Sequence, residues 1–166
     1  VTVRKTVHGV YLDRAVNGES RAVGVAWTGM SGTREIEAIH EWGKSTGMEA
    51  FRAATEKMDV PTQNLVYADR DGNTLYQMSG KIPIRRVDGE VVRGGRVFDG
   101  SAGEAEWDGF TPFGESSWDG FIPYDEKPAV LNPDYIGTAN QRTADNPAYP
   151  IGQRYNSGFR GTRIYE

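Results

Sequence analysis

Residues 64–80 read NLVYADRDGNTLYQMSG, and this run decides the fold class. Asn64 to Ala68 is a short apolar strand, Asp69-Arg70-Asp71-Gly72-Asn73 is a tight acidic turn, and Thr74 to Ser79 returns as a second strand. The acidic turn is superficially like a calcium loop, but the downstream Glu and the alternating ligands of an EF-hand are missing. The run is therefore a hairpin closed by residues that tolerate left-handed backbone. Antiparallel sheet is the frame on which the other elements must pack.

Upstream, Glu35 to Trp42 has helical spacing with Ile36, Ile39 and His40 on one face. A second helical stretch opens at Thr46, where Thr46 and Glu49 make a capping box. Met48, Phe51, Thr55 and Met58 follow at core spacing, up to a stop at Asp59-Val60-Pro61. Val1 to Val16 alternates with period two around Gly9, which predicts a strand with a bend or bulge. Asn17-Gly18 turns the chain into Arg21–Trp27, the partner strand. His8, between Val7 and Gly9, reads as a structural histidine bonded to backbone. Trp27 ends an apolar strand and is either a core residue or the wall of an apolar pocket, and sequence alone favours the core.

Downstream, Ile82-Pro83-Ile84-Arg85 continues the sheet as a rim, since Pro83 cannot donate to a ladder. Residues 87–132 show little periodicity but hold a near-repeat, Trp107-Asp108-Gly109-Phe110 and Trp118-Asp119-Gly120-Phe121. Two copies do not make a solenoid, so this reads as a long ordered loop anchored by aromatics. The run LNPDYIGTANQRTADNPAYPIGQRYNSGFRGTR (131–163) is mostly turn formers. Within it, Tyr135 to Asn140 reads as a strand that carries Asn140 to its end. Arg154, Arg160 and Arg163 then cross a Tyr/Phe-bearing segment. An Asn amide has two donors and one acceptor in a fixed plane, so a rigidly held one can aim a donor at a developing oxyanion. The plainer alternative is a turn-capping Asn.

Composition narrows the function. The chain has 166 residues, 37% hydrophobic, enough for one ordinary domain or a piece of a larger one. A net charge of −4 with scattered basic residues argues against a nucleic-acid surface. No window is long and apolar enough for a membrane span. The N-terminus lacks an initiator Met and a signal-peptide core, which predicts a start after a cleavage or at an artificial boundary. With no cysteine, thiol nucleophiles and Cys-based metal sites are excluded. His8 and His40 stand on different elements and suggest neither a His-rich metal site nor a Ser/His/Asp triad. A hydrolase built on this chain needs another kind of base.

The order VRKTVHG, AWTG, NLVYADRDGN, IPIR, WDGFIPYDEKPAVLNP, IGTANQR and YNSGFRGTRI resembles the penicillin acylase family of N-terminal-nucleophile amidohydrolases, over essentially the whole chain. The resemblance implies an α+β fold, part of a four-layer αββα core of antiparallel strands with two helices and the long Gly/Trp/Pro-rich loop. It implies that residues 1–166 are one segment of the larger (beta) chain. The smaller chain and the remainder of the larger chain would be its partners. In that family the N-terminal Ser of the larger chain is nucleophile and, through its amine, base. Its substrates are small-molecule linear amides: penicillins, cephalosporins or acyl-homoserine lactones. By the same resemblance Asn140 falls on the oxyanion-hole asparagine. Arg160 falls on an arginine that orients it, and Trp27 on a tryptophan of the acyl-side pocket.

The chain also departs from the family. Some members have a calcium-binding Asp after the Tyr-Pro step where this chain has Gln153, so no metal ligand is assigned, although the full enzyme could bind calcium. Gln63 replaces an apolar pocket residue of some penicillin G acylases, so an aryl-acetyl preference does not carry over. The second Trp-Asp-Gly-Phe copy lengthens the loop before Asn140. Family members usually act outside the cytoplasm, implying a periplasmic or secreted protein. Cut from its neighbours, the segment is expected to expose sheet edges and apolar faces, to self-associate or pack loosely, and to be inactive alone. The alternative of a different class is a non-catalytic module whose Trp107/Trp118 loop grips sugar or protein.

Overall fold

The structure is a computed structural model that describes residues 2–16, 19–104, 120–142, 149–152 and 155–166. Among these, two three-stranded antiparallel sheets and a two-stranded ribbon carry three helices. In the first sheet, β1 (Lys5–Thr6) pairs with β2 (Gly9–Val16), which pairs with β3 (Glu19–Val25). Lys5 faces Val10 and Thr6 faces Gly9. The chain therefore reverses at Val7-His8 instead of bulging within one long strand. The backbone N–H of His8 donates to Thr6 Oγ1, and this Thr takes the turn-closing role.

The second sheet contains the hairpin read from sequence. β4 (Asn64–Ala68) and β5 (Thr74–Met78) pair with Asn64 opposite Met78 and Ala68 opposite Thr74. The Asp69 carboxylate accepts from the backbone N–H groups of Asp71 and Asn73, the Asn73 amide and the Tyr67 hydroxyl. The Asn73 amide is the main reason that the Asp69 carboxyl is held below the usual carboxylate range. The turn thus uses its own acid internally.

The third strand of this sheet, β8 (Ala129–Leu131), pairs antiparallel with β5. It comes from within the stretch expected to be loop, as does β7 (Glu90–Val92), whose ribbon partner β6 (Arg85–Val87) begins at Arg85, the last residue of the segment read as a rim. All three strands have only three residues, too few to show a period. The first copy of the Trp-Asp-Gly-Phe repeat, and Trp118 and Asp119 of the second, lie outside the described residues. Of the second copy, Phe121 bridges Pro83, and Ile122 packs with Met78 and Ile82 in a buried cluster joined by Ile84, Tyr149 and Ile151.

Helices α1 (Glu35–Trp42) and α2 (Met48–Glu56) form where the apolar spacing predicts. The predicted inner face of α1 is wrong, because Ile36 and Ile39 are exposed and Ala38 is buried. Trp42 turns inward with it, because the Trp42 indole donates to Thr55 Oγ1 at 3.0 Å and stacks on Phe51 at 5.9 Å. Phe51 then meets Tyr67 of β4 at 5.0 Å, so an aromatic ladder joins both helices to the sheet. The capping box at Thr46 does not form. Gly47 is the N-cap of α2, and no side-chain hydrogen bond caps the helix. The segment Tyr135–Asn140 is not a strand, and α3 (Phe159–Tyr165) is a helix in what reads as a coil with arginines.

Lys127, buried beside this sheet, sits 5.5 Å from the Tyr124 ring centroid. Burial first, and Lys81 second, pull its pKa from 10.5 down to about 8, while burial pushes Tyr124 up to about 12. A lysine whose folded pKa lies below its unfolded value destabilises the fold fully below pH 8. The penalty is relieved as pH climbs from 8 to 10.5, because the unfolded chain then holds the extra proton. Lys127→Met should therefore raise the thermal midpoint at pH 7, with the gain shrinking as pH climbs from 8 towards 10.5. A gain that is the same at pH 7 and at alkaline pH would contradict this.

Candidate active site

The loop that carries Asn140 is held by its own side chains and by α3. Asn140 has φ 61°, in the left-handed region that Asn enters more readily than most residues. Its backbone carbonyl accepts from Asn156 N–H at 2.9 Å. From α3, Arg160 Nη2 donates to Asn140 Oδ1 at 2.6 Å and to Ala139 O at 2.8 Å. One guanidinium nitrogen thus uses both hydrogens on neighbouring acceptors. Because the guanidinium is charged and donor-only, it fixes which end of the Asn140 amide faces it. The carbonyl points to Arg160, and the NH₂ is the end that can donate outward from this exposed residue.

The sequence has placed Asn140 and Arg160 twenty positions apart, and the fold brings their polar atoms into contact. The expected mount, a buried strand end, is replaced by a bend whose donors and acceptors are met by Gln141, Asn156, Tyr165 and Arg160. Tyr165 donates to Gly137 O at 3.2 Å and meets Tyr135 edge-on at 5.1 Å. The Tyr135 hydroxyl also donates to Ile164 O, which fastens α3 to this bend. A hollow of about 860 Å³ opens beside the bend, with Ile136, Gln141, Tyr155 and Tyr165 in its wall, and neither Asn140 nor Arg160 lines it.

Trp27 is not part of this hollow. It lies past the end of β3, 56% exposed, where the core reading fails. Its ring covers Gly29 so closely that a Cβ there would stand 2.6 Å from a ring carbon. Gln63 is exposed, and its backbone carbonyl accepts from Ser79 N–H at 2.9 Å. Gln153 and Arg154 lie outside the described residues. Among the described residues, no three acidic or histidine side chains gather as a metal site, and no helix is long and apolar enough to cross a membrane.

The profile of the penicillin amidase family matches residues 1–166. The chain belongs to the penicillin amidase family. A solved structure of a thermostable penicillin G acylase from Alcaligenes faecalis resembles this chain with a TM-score of 0.58 at 21% identity. The likeness covers 95% of this chain and 26% of that one, so the chain spans about a quarter of that acylase's length. At that identity the match speaks for the fold. It agrees with the mixed α/β architecture of antiparallel sheets and three helices described above.

Gln141, Asn156 and Gly161 had no signal in the sequence that separates them from ordinary turn residues. Gly161 also hides α3, since Gly is a poor former of helix interiors, and Gly158 stands just outside it as the N-cap.

Proposed function

We propose that this chain is a segment of the larger chain of a penicillin-acylase-type amidohydrolase, supplying the oxyanion donor for hydrolysis of a linear amide. The nucleophile is an N-terminal Ser contributed by polypeptide outside this chain, whose own amine takes the proton. The Ser oxygen attacks the amide carbonyl, the carbonyl oxygen becomes negative, and Asn140 Nδ2–H donates to it. Collapse breaks the C–N bond as the α-ammonium returns its proton to the leaving amine, and the acyl-enzyme that remains is hydrolysed by water, which the free α-amine deprotonates. The observation that supports this best is the Arg160–Asn140 bond of 2.6 Å, which sets the amide with its donor end away from the guanidinium. A turn-capping Asn needs no such partner.

Arg160 acts through Asn140, as a positioning residue. Trp27, exposed with its ring against Gly29, is read as an acyl-side wall completed by other parts of the enzyme. The segment belongs to the αββα core, works outside the cytoplasm, and has no activity without the nucleophile.

The test is amide hydrolysis by the complete, matured protein on p-nitroanilides of acetate, octanoate and phenylacetate, with the isolated chain as control. Turnover should depend on a free N-terminal Ser. Arg160→Ala should lower kcat by roughly 10–100-fold, the range of a lost hydrogen bond to a charged group. Arg160→Lys should recover only part, since an ammonium lacks the planar fork. Activity in the isolated chain, or full turnover in Arg160→Ala, would overturn the assignment.

A further inference from the structure

Asn140 is a non-glycine residue at positive φ, a conformation that persists only where its surroundings over-determine it. The next residue supplies the constraint. Gln141 folds its side chain back along the bend: Oε1 accepts from Ala139 N–H, and Nε2 donates to Gly137 O at 3.1 Å. One amide thus ties two backbone groups on the N-terminal side of Asn140, while Asn156 N–H holds the Asn140 carbonyl. Gly161 of α3, itself buried, lies against this Gln. A Cβ there would stand 3.1 Å from Gln141 Cδ and 3.2 Å from Cγ, tighter than side chains normally tolerate. Consecutive residues of α3 therefore grip consecutive residues of the bend, Arg160 on Asn140 and Gly161 on Gln141.

We propose that Gln141 is a positioning residue for Asn140, closing the Gly137–Gln141 bend so that the Asn140 donor is held in its working direction, with Gly161 kept small to seat it. The proposal rests on the reading of Asn140 as the oxyanion donor. Two alternatives give less. A Gln that only stabilised the loop would affect folding without singling out turnover. A Gln that touched substrate would change KM, yet both ends of its amide are engaged by backbone.

The test is a double-mutant cycle in the complete, matured enzyme. It uses whichever p-nitroanilide or p-nitrophenyl ester of acetate, octanoate or phenylacetate is turned over fastest. Gln141→Ala should lower kcat about 10–100-fold, the scale of a small misplacement of a catalytic group, with KM nearly unchanged. Gln141→Glu keeps the acceptor for Ala139 N–H and loses the donor to Gly137, so it should fall between. In the Asn140→Ala background, Gln141→Ala should have no further effect on residual ester turnover, because its influence passes through Asn140.

Equal losses in both backgrounds, or wild-type kcat in Gln141→Ala, would overturn the proposal. Should Gln141→Ala not mature, Gln141→Glu and Gly161→Ala are carried through the same cycle and judged by the same outcomes. If Asn140→Ala loses turnover while the Gln141 variants keep theirs, only the role of Gln141 falls. If Asn140→Ala itself keeps wild-type turnover, the oxyanion assignment falls first.

Discussion

Asn140→Ala in the complete, matured enzyme should lower kcat for amide hydrolysis by about 10²–10³, the range for loss of one oxyanion donor, with KM nearly unchanged. The donor bond strengthens as charge develops on the carbonyl oxygen, so its loss falls on the transition state and not on ground-state binding. Asn140→Asp sharpens the test. A carboxylate would keep the size and the Arg160 partner, yet it would present an acceptor where a donor is required. It should be at least as slow as the alanine variant. A tenfold or smaller loss in both variants would remove Asn140 from the reaction. Mass analysis of the larger chain should accompany the kinetics, so that a failure of self-cleavage is not mistaken for a failure of turnover.

The second large effect lies in the core. Leu75 is completely buried on the middle strand of the β4-β5-β8 sheet, with Tyr67 and Leu131 as its register partners. Leu75→Ala should cost about 2–5 kcal/mol, the sum of lost transfer energy and the cavity left behind. For a chain of this size that is a fall of roughly 4–20 °C in the unfolding midpoint. Val130, half exposed on β8, is the control: truncating it leaves far less of a cavity. If the two alanine variants lose the same stability, Leu75 is not the centre of this sheet.

The β4–β5 hairpin was legible because a short apolar run and an Asp-Gly turn act within seventeen residues, where local chemistry decides the outcome. Helices α1 and α2 were legible for the same reason. The buried face of α1 was not, because the Trp42–Thr55 hydrogen bond, a contact with another helix, rotates that face away from Ile36 and Ile39. β8 was hidden because a three-residue strand takes its identity from β5, 54 residues earlier in the register Tyr76–Val130.

At the site, residue types and order brought out Asn140 and Arg160, but not how they are held. Tyr135–Asn140 has the look of a strand and the backbone of a bend, since its polar groups are met by Gln141, Tyr165 and Arg160 instead of by a neighbouring strand. A pattern of residues cannot show that choice. It depends on α3, which Gly161 inside it and Gly158 before it disguise.

The proposed role of Asn140 is to face a developing oxyanion. The most direct measurement is a crystal structure of the complete enzyme with a boronic acid bound to the nucleophilic Ser, the boronate standing in for the tetrahedral intermediate. Asn140 Nδ2 is expected about 2.7–3.1 Å from one boronate oxygen, with Oδ1 still on Arg160. A boronate whose oxygens are met by other donors, with the Asn140 amide turned away, would contradict it.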